Sequence, residues 1–206
     1  MPALLLLFFL GALCAPVLMR RGRLGFIFLA GIPGIALLWF LMELPGAFHG
    51  EVYARKVAWL PQLGFTFDVR IDALSLIMAL LVTGVGTLVL LYSARYFSSS
   101  AAHLGRFAGV FLAFAGAMLG LVTTDSTPAL YLFWELTTVF SFLLIGHYSD
   151  RTSSRRAAQQ AIIVTTVGGL AMLVGIVILG EMPGGSYLFS ELLASASAGT
   201  LGQGVP

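Results

Sequence analysis

The chain has 206 residues, of which 59% are apolar, 12% aromatic and only 10% charged. A soluble globular domain carries about 25% charged residues, so this composition excludes a soluble fold and points to a lipid bilayer. Eleven basic and nine acidic residues leave a formal charge of +2, which gives no support for nucleic-acid binding, and long apolar runs in place of alternating ones exclude a closed β-barrel.

Ala3 to Leu18 is the first apolar run. No basic residue precedes it and Arg20, Arg21 and Arg23 follow it, so it reads as a retained span with its N-terminus outside rather than a cleaved signal. Leu24 to Met42 makes a second span, with Pro33 inside it. The segment Glu43 to Arg70 is mixed, with Pro45, Gly46, Pro61 and Gly64 as turn signals. At its end Phe65, Phe67, Val69 and Ile71 alternate with Thr66, Asp68 and Arg70, a strand period that predicts a short β-hairpin on the outer surface. Asp72 caps the next helix with Ser75 three residues on, and Ala73 to Tyr92 is the third span.

Phe107 to Val122 is the fourth span. Its Gly105/Gly109 and Gly116/Gly120 pairs are of the small-xxx-small type and read as helix packing. Pro128 suits the first turn of a fifth helix, Ala129 to Ile145. Ala157 to Leu179 is the sixth, entered through Gln159 and Gln160 and carrying Thr165, Thr166, Gly168 and Gly169 on a polar, closely approachable face. A weakly amphipathic stretch around Tyr187 to Leu193 follows. The expected fold class is therefore an all-α integral membrane protein of about six transmembrane helices, with a short outer β-hairpin between helices 2 and 3. Residues 1–44 hold helices 1 and 2, 45–71 an extracytoplasmic loop, 72–180 helices 3 to 6, and 181–206 an extracytoplasmic tail.

With the N-terminus outside, Arg20, Arg21, Arg23, Arg95, Arg106, Arg151, Arg155 and Arg156 face the cytoplasm, and Arg55, Lys56 and Arg70 lie outside. That asymmetry supports both chain ends outside and a multi-pass location in a cell (inner or plasma) membrane.

Catalytic chemistry is sparse. There is no phosphate-cradling glycine loop, no pair of His or Cys at metal spacing, and no nucleophile beside a base, so neither an enzyme, a cofactor nor a metal site is expected. Cys14 stands alone and reads as a small buried apolar residue. The residue that requires an account is Glu135, in the middle of the fifth apolar run. An acid there costs roughly 3 kcal/mol on an insertion scale, which the surrounding Leu, Ile, Val and Phe residues offset. Tyr131 and Thr138 share its face at helical spacing, and either hydroxyl is a candidate partner. Neither can neutralise it. A carboxyl withdrawn from water holds its proton and a cation brought beside it releases it, so Glu135 is a candidate for proton or cation translocation; a protonated, hydrogen-bonded packing residue is the alternative. His147 lies about 18 Å further along the helix axis, and an interfacial role or a proton relay at the channel mouth both stay open for it.

Phe133-Trp134-Glu135-Leu136-Thr137 with Ser141-Phe142-Leu143-Leu144-Ile145-Gly146 resembles the antiporter-like proteins shared by Mrp-type multisubunit cation/proton antiporters and respiratory complex I. Asp72-Ala73-Leu74-Ser75-Leu76, Thr83-Gly84-Val85-Gly86-Thr87, Gly116-Ala117-Met118-Leu119-Gly120 and Gly168-Gly169-Leu170-Ala171-Met172-Leu173 look most like the large A subunit of the Mrp antiporters. The resemblance implies that residues 72–180 are the N-terminal part of an antiporter-like core, with other antiporter subunits, protons, Na+ and the lipid bilayer as partners. It implies that Glu135 is the proton-translocation carboxylate, paired in relatives with a lysine on a seventh helix. No matching lysine occurs in this sequence, so the chain reads as an N-terminal fragment or one piece of a split subunit. Relatives also carry a basic residue after the Ala-Gln pair of the sixth helix, where this chain has Gln160. The implied function is Na+/H+ exchange driven by the proton-motive force. A proton-pumping membrane-arm subunit of an NADH-quinone oxidoreductase, or a membrane scaffold without transport, are the alternatives.

Overall fold

The computed structural model describes residues 1–49, 51–60, 65–97, 103–148 and 150–203. Among the described residues six helices are long and apolar enough to cross a membrane: α1 (Pro2–Leu18), α2 (Arg23–Phe48), α3 (Ala73–Tyr96), α4 (Leu104–Thr123), α5 (Thr127–Ile145) and α6 (Thr152–Glu181). The expected hairpin stands between α2 and α3. Its strands β1 (Tyr53–Leu60) and β2 (Phe65–Ile71) run antiparallel, with Tyr53 opposite Ile71 and Val57 opposite Phe67. The turn signals Pro61 and Gly64 lie outside the described residues. A short α7 (Phe189–Ser197) follows α6.

Two of the helices, α3 and α5, start at a side-chain cap, Asp72 and Ser126. Asp72 Oδ1 accepts from Ser75 N at 2.9 Å and from Ser75 Oγ at 3.0 Å, capping α3. Those bonds, with Arg70 nearby, hold the Asp72 carboxyl below its ordinary pKa. Ends are less faithful to the apolar pattern. α2 continues past Met42 to Phe48 and carries both Pro33 and Pro45 inside it. α6 begins at Thr152 rather than Ala157, which puts Arg155 and Arg156 inside the helix. Arginine is a good helix former, and its long stem lets the charge reach water from a helix end.

α4 occupies the centre of the bundle and contacts α1, α2, α3 and α5. Its glycines explain how. A Cβ on Gly109 would lie 2.7 Å from the Ala12 carbonyl oxygen, one on Gly105 2.8 Å from Pro16 Cα, and one on Gly116 2.8 Å from Phe8 Cβ. Three of the four glycines therefore admit α1 at close range, as tight helix packing requires. The fourth, Gly120, admits the ring of Phe133 from α5. Cys14 departs from expectation: α1 buries Leu5, Phe8, Gly11 and Ala15, and Cys14 is exposed off that face.

Two sets of contacts define the ends of the bundle. At one end Val69 of β2 bridges Thr124, Ser126 bridges Leu188, and Asp125 N donates to Asp68 O at 2.7 Å. A two-stranded hairpin is marginal alone, and the α4–α5 loop supplies its support. That loop also buries Asp68, which the strand alternation placed on the polar side. At the other end the rings of Phe97, Phe107 and Tyr148 surround His147. The eight arginines counted as cytoplasmic gather at this second end.

The positive-inside rule predicts that the hairpin and α7 lie outside. In a Cys14→Ser background, single cysteines at the exposed positions Ser153 and Ala196 test this with an impermeant maleimide on intact cells. Only the cysteine at 196 should react; labelling at 153 contradicts the topology.

Candidate functional site

The entry to α5 is fixed from both sides. On one side it holds the hairpin through Asp125 N and through Thr124 Oγ1, which donates to Asp68 O at 3.3 Å. On the other it holds the segment after α6, with Thr127 N donating to Tyr187 O at 2.9 Å and Phe189 N to Asp125 O at 2.8 Å. The Asp125 carboxylate also accepts from Ser190 N at 3.0 Å and from the Ser190 hydroxyl, so it serves the orphan donors at the start of α7. Pro128 stands in the first turn of α5 as expected.

From that fixed start, helix geometry aims the side chains. Phe133 is buried and seats against Gly120 of α4. Glu135, two residues on, lies about 200° around the helix and so faces away from α4. It meets α6. A Cβ on Gly169 would fall on Glu135 Oε1 and lie 3.7 Å from Trp134 Cδ1. The absence of a side chain at Gly169 is therefore what makes room for the carboxyl in the α5–α6 seam.

Glu135 Oε1 is buried with no hydrogen-bond partner among the described residues. Native proteins satisfy nearly all such atoms, and an exception calls for a reason. Tyr131 brings its hydroxyl within interaction reach of the Glu135 carboxyl. Thr138 is buried about 60° round the helix from Glu135. Every described Lys and Arg stands at a helix end, in the turn between α1 and α2, in the loop before α6, or in the hairpin, and among the described residues none pairs with this acid.

His147 is not part of this seam. It lies beyond the end of α5, with ring centroids 5.3 Å from Phe107 and 5.0 Å from Tyr148. Burial first, then the charges of Arg106 and His103, lowers its pKa below the ordinary imidazole value and favours its neutral form. Among the described residues no group of three or more His, Cys, Asp and Glu could hold a metal ion.

The family model described as NADH-ubiquinone oxidoreductase (complex I), chain 5 N-terminus, matches residues 59–108. The model described as NADH:quinone oxidoreductase/Mrp antiporter, transmembrane, matches residues 125–204. Na(+)/H(+) antiporter subunit A1 of Staphylococcus haemolyticus is 40% identical over 189 residues, 90% of this chain. The chain belongs to the antiporter-like family of Mrp antiporters and complex I.

The same protein of Staphylococcus aureus is 39% identical over 189 residues. This antiporter-like chain spans 23% of the length of each of these relatives. The Mrp complex of Dietzia sp. DQ12-45-1b superposes with a TM-score of 0.78 at 30% identity, covering 93% of this chain and 20% of that one. Respiratory complex I of Thermus thermophilus shares the fold, with a TM-score of 0.68 at 24% identity over 93% of this chain and 39% of that one. Both Glu135 and Gly169 fall in the segment that the antiporter transmembrane model matches. The antiporter-like chain is thus homologous to the large Mrp antiporter protein and is a multi-pass membrane protein.

The residue that sequence reasoning missed is Gly169 as the neighbour of Glu135. Its signal was present, since Thr165, Thr166, Gly168 and Gly169 marked an approachable face. What the pattern lacked was the register that sets Gly169, and not Gly168, against the acid.

Proposed function

We propose that the chain is an ion-translocating part of a multisubunit monovalent cation/proton antiporter that exchanges Na+ for H+ across the cell membrane at the expense of the proton-motive force. The observation that carries this reading is the buried Glu135 Oε1, without a hydrogen-bond partner among the described residues, at the seam with Gly169. Intramembrane acids mark ion pathways. A carboxyl can bind a proton or answer a cation, which is the alternation that exchange requires. Coupling follows if the cation's arrival also changes which side the seam opens to.

In this reading Glu135 is the proton-carrying group, Tyr131 and Thr138 support it, and His147 acts only at the membrane surface, as an interfacial group or relay. Residues 72–180 form the first part of the transport core, 1–44 brace it, and 45–71 and 181–206 form its extracytoplasmic cover. The partners are other antiporter subunits, and the cation that answers Glu135 is one that residues 1–206 do not supply. The chain then has no enzymatic activity of its own. A second reading, favoured by the complex I family model over residues 59–108, is a proton-pumping subunit of an NADH-quinone oxidoreductase.

Vesicles holding only Met1 to Pro206 should show no Na+-dependent pH change, whereas vesicles holding the assembled complex should. Robust exchange by the chain alone contradicts the need for an external cation. Proton movement that follows NADH oxidation and ignores Na+ selects the second reading, and an assembled complex indifferent to both leaves only a scaffold.

A further inference from the structure

We propose that the cytoplasmic ends of α4, α5 and α6 form a binding site for the headgroup phosphate of an anionic inner-leaflet phospholipid. A pocket of about 220 Å³ opens there, with Arg106 of α4 and Arg155 and Gln159 of α6 on its polar side and Phe142 and Leu143 of α5 on its apolar side. Among the described residues no carboxylate lines it. This site goes beyond ion exchange and does not depend on it, since it needs only that the chain spans a bilayer with this end cytoplasmic.

The pocket is shaped by backbone approach. Gly146 ends α5, and a Cβ there would meet the Phe142 carbonyl oxygen at 3.1 Å and Ala158 Cβ at 3.5 Å, so α6 closes on the helix end and forms a floor. Ser154 Oγ donates to Ile145 O at 2.6 Å and fixes the first turn of α6 against that end. Arg155, the next residue, is thereby held at the rim, and Arg106 reaches the same pocket from α4.

Two guanidinium groups brought to one small pocket from different helices suit phosphate, because each offers a planar fork of donors. Their place in the bilayer selects a lipid over a free ion. Both lie in the first turns of their helices, at the end of the bundle that carries the other arginines counted as cytoplasmic, and basic pockets between spans on that side bind anionic headgroups. Beyond Gln159, α6 exposes Ile163, Val164 and Val167, an apolar track along which the acyl chain continues inward. Free phosphate could use the arginines but not the track.

Native mass spectrometry of the purified full chain in neutral detergent tests the site, with phosphatidylglycerol, phosphatidylcholine and inorganic phosphate as probes. Phosphatidylglycerol should be retained in preference to phosphatidylcholine, and excess inorganic phosphate should not displace it. Arg106→Gln and Arg155→Gln should each lower the retained fraction about fivefold, and the pair about twenty-five-fold. Arg20→Gln with Arg21→Gln, which removes equal charge from the same membrane face, should leave retention unchanged. Circular dichroism confirms that each variant keeps its helices; if the double variant does not, the two single variants decide. Equal loss in the Arg20/Arg21 control, unchanged retention without Arg106 and Arg155, equal binding of phosphatidylcholine, or displacement by inorganic phosphate each overturns the assignment.

Discussion

Gly169→Ala is expected to lower Na+-driven proton flux about a hundredfold in vesicles holding the assembled complex, the scale of loss that a misplacement of about 1 Å at a reacting group produces. Gly168→Ala is expected to leave the flux near the unmodified rate. The two glycines are adjacent on α6, and alanine raises the helix propensity of each by the same amount, roughly 1 kcal/mol. Their surroundings differ. Nothing lies within 4 Å of a Cβ built on Gly168, whereas one built on Gly169 falls on Glu135 Oε1. The obstacle at Gly169 is the far end of a flexible side chain, so the helices can stay in place while the carboxyl swings aside. Assembly, followed by blotting of the other proteins of the complex, should therefore be unaffected in both variants. Equal flux from both would show that the seam does not position the acid.

Much of the fold was legible because apolar length, alternation and capping are local. The six spans, the strand period of β2 and the Asp72–Ser75 cap all rest on residues within a few positions of one another. The same is true of the glycine stripe on α4, whose spacing announces close packing without naming the partner. Which helix fills it is a tertiary fact: α1 takes Gly105, Gly109 and Gly116, and the Phe133 ring takes Gly120. Glu135 stood out as an acid in an apolar run, yet its environment depends on the register of α5 against α6. That register is in turn set by contacts distant in sequence, such as Asp125 with Ser190 and Thr127 with Tyr187. Asp68 and Cys14 were misplaced for the same reason. A periodic pattern defines the faces of an element, but not what covers them.

Glu135→Gln is expected to abolish exchange. Glutamine keeps the size of the side chain and its place beside Gly169 and Trp134, and it removes the carboxyl that takes and gives the proton in the seam. Intramembrane acids are retained against a cost of roughly 3 kcal/mol at the helix centre, so the neutral variant should insert and assemble at least as well as the unmodified chain. Glu135→Asp keeps the titration but draws the carboxyl back by about 1.5 Å, one carbon–carbon bond. It should give slower exchange, not none. Thr138→Val and Tyr131→Phe, which leave the carboxyl in place, should fall between the aspartate variant and the unmodified complex.

If the Glu135 carboxyl carries the proton that Na+ exchanges for, its loss must stop transport without disturbing assembly. The most direct measurement is Na+-driven proton flux in vesicles of the assembled complex bearing Glu135→Gln, with the content of each protein matched to the unmodified complex by blotting. The expected flux is indistinguishable from that of protein-free vesicles. Flux at the unmodified rate from a fully assembled Glu135→Gln complex would contradict the assignment and make the acid a packing residue.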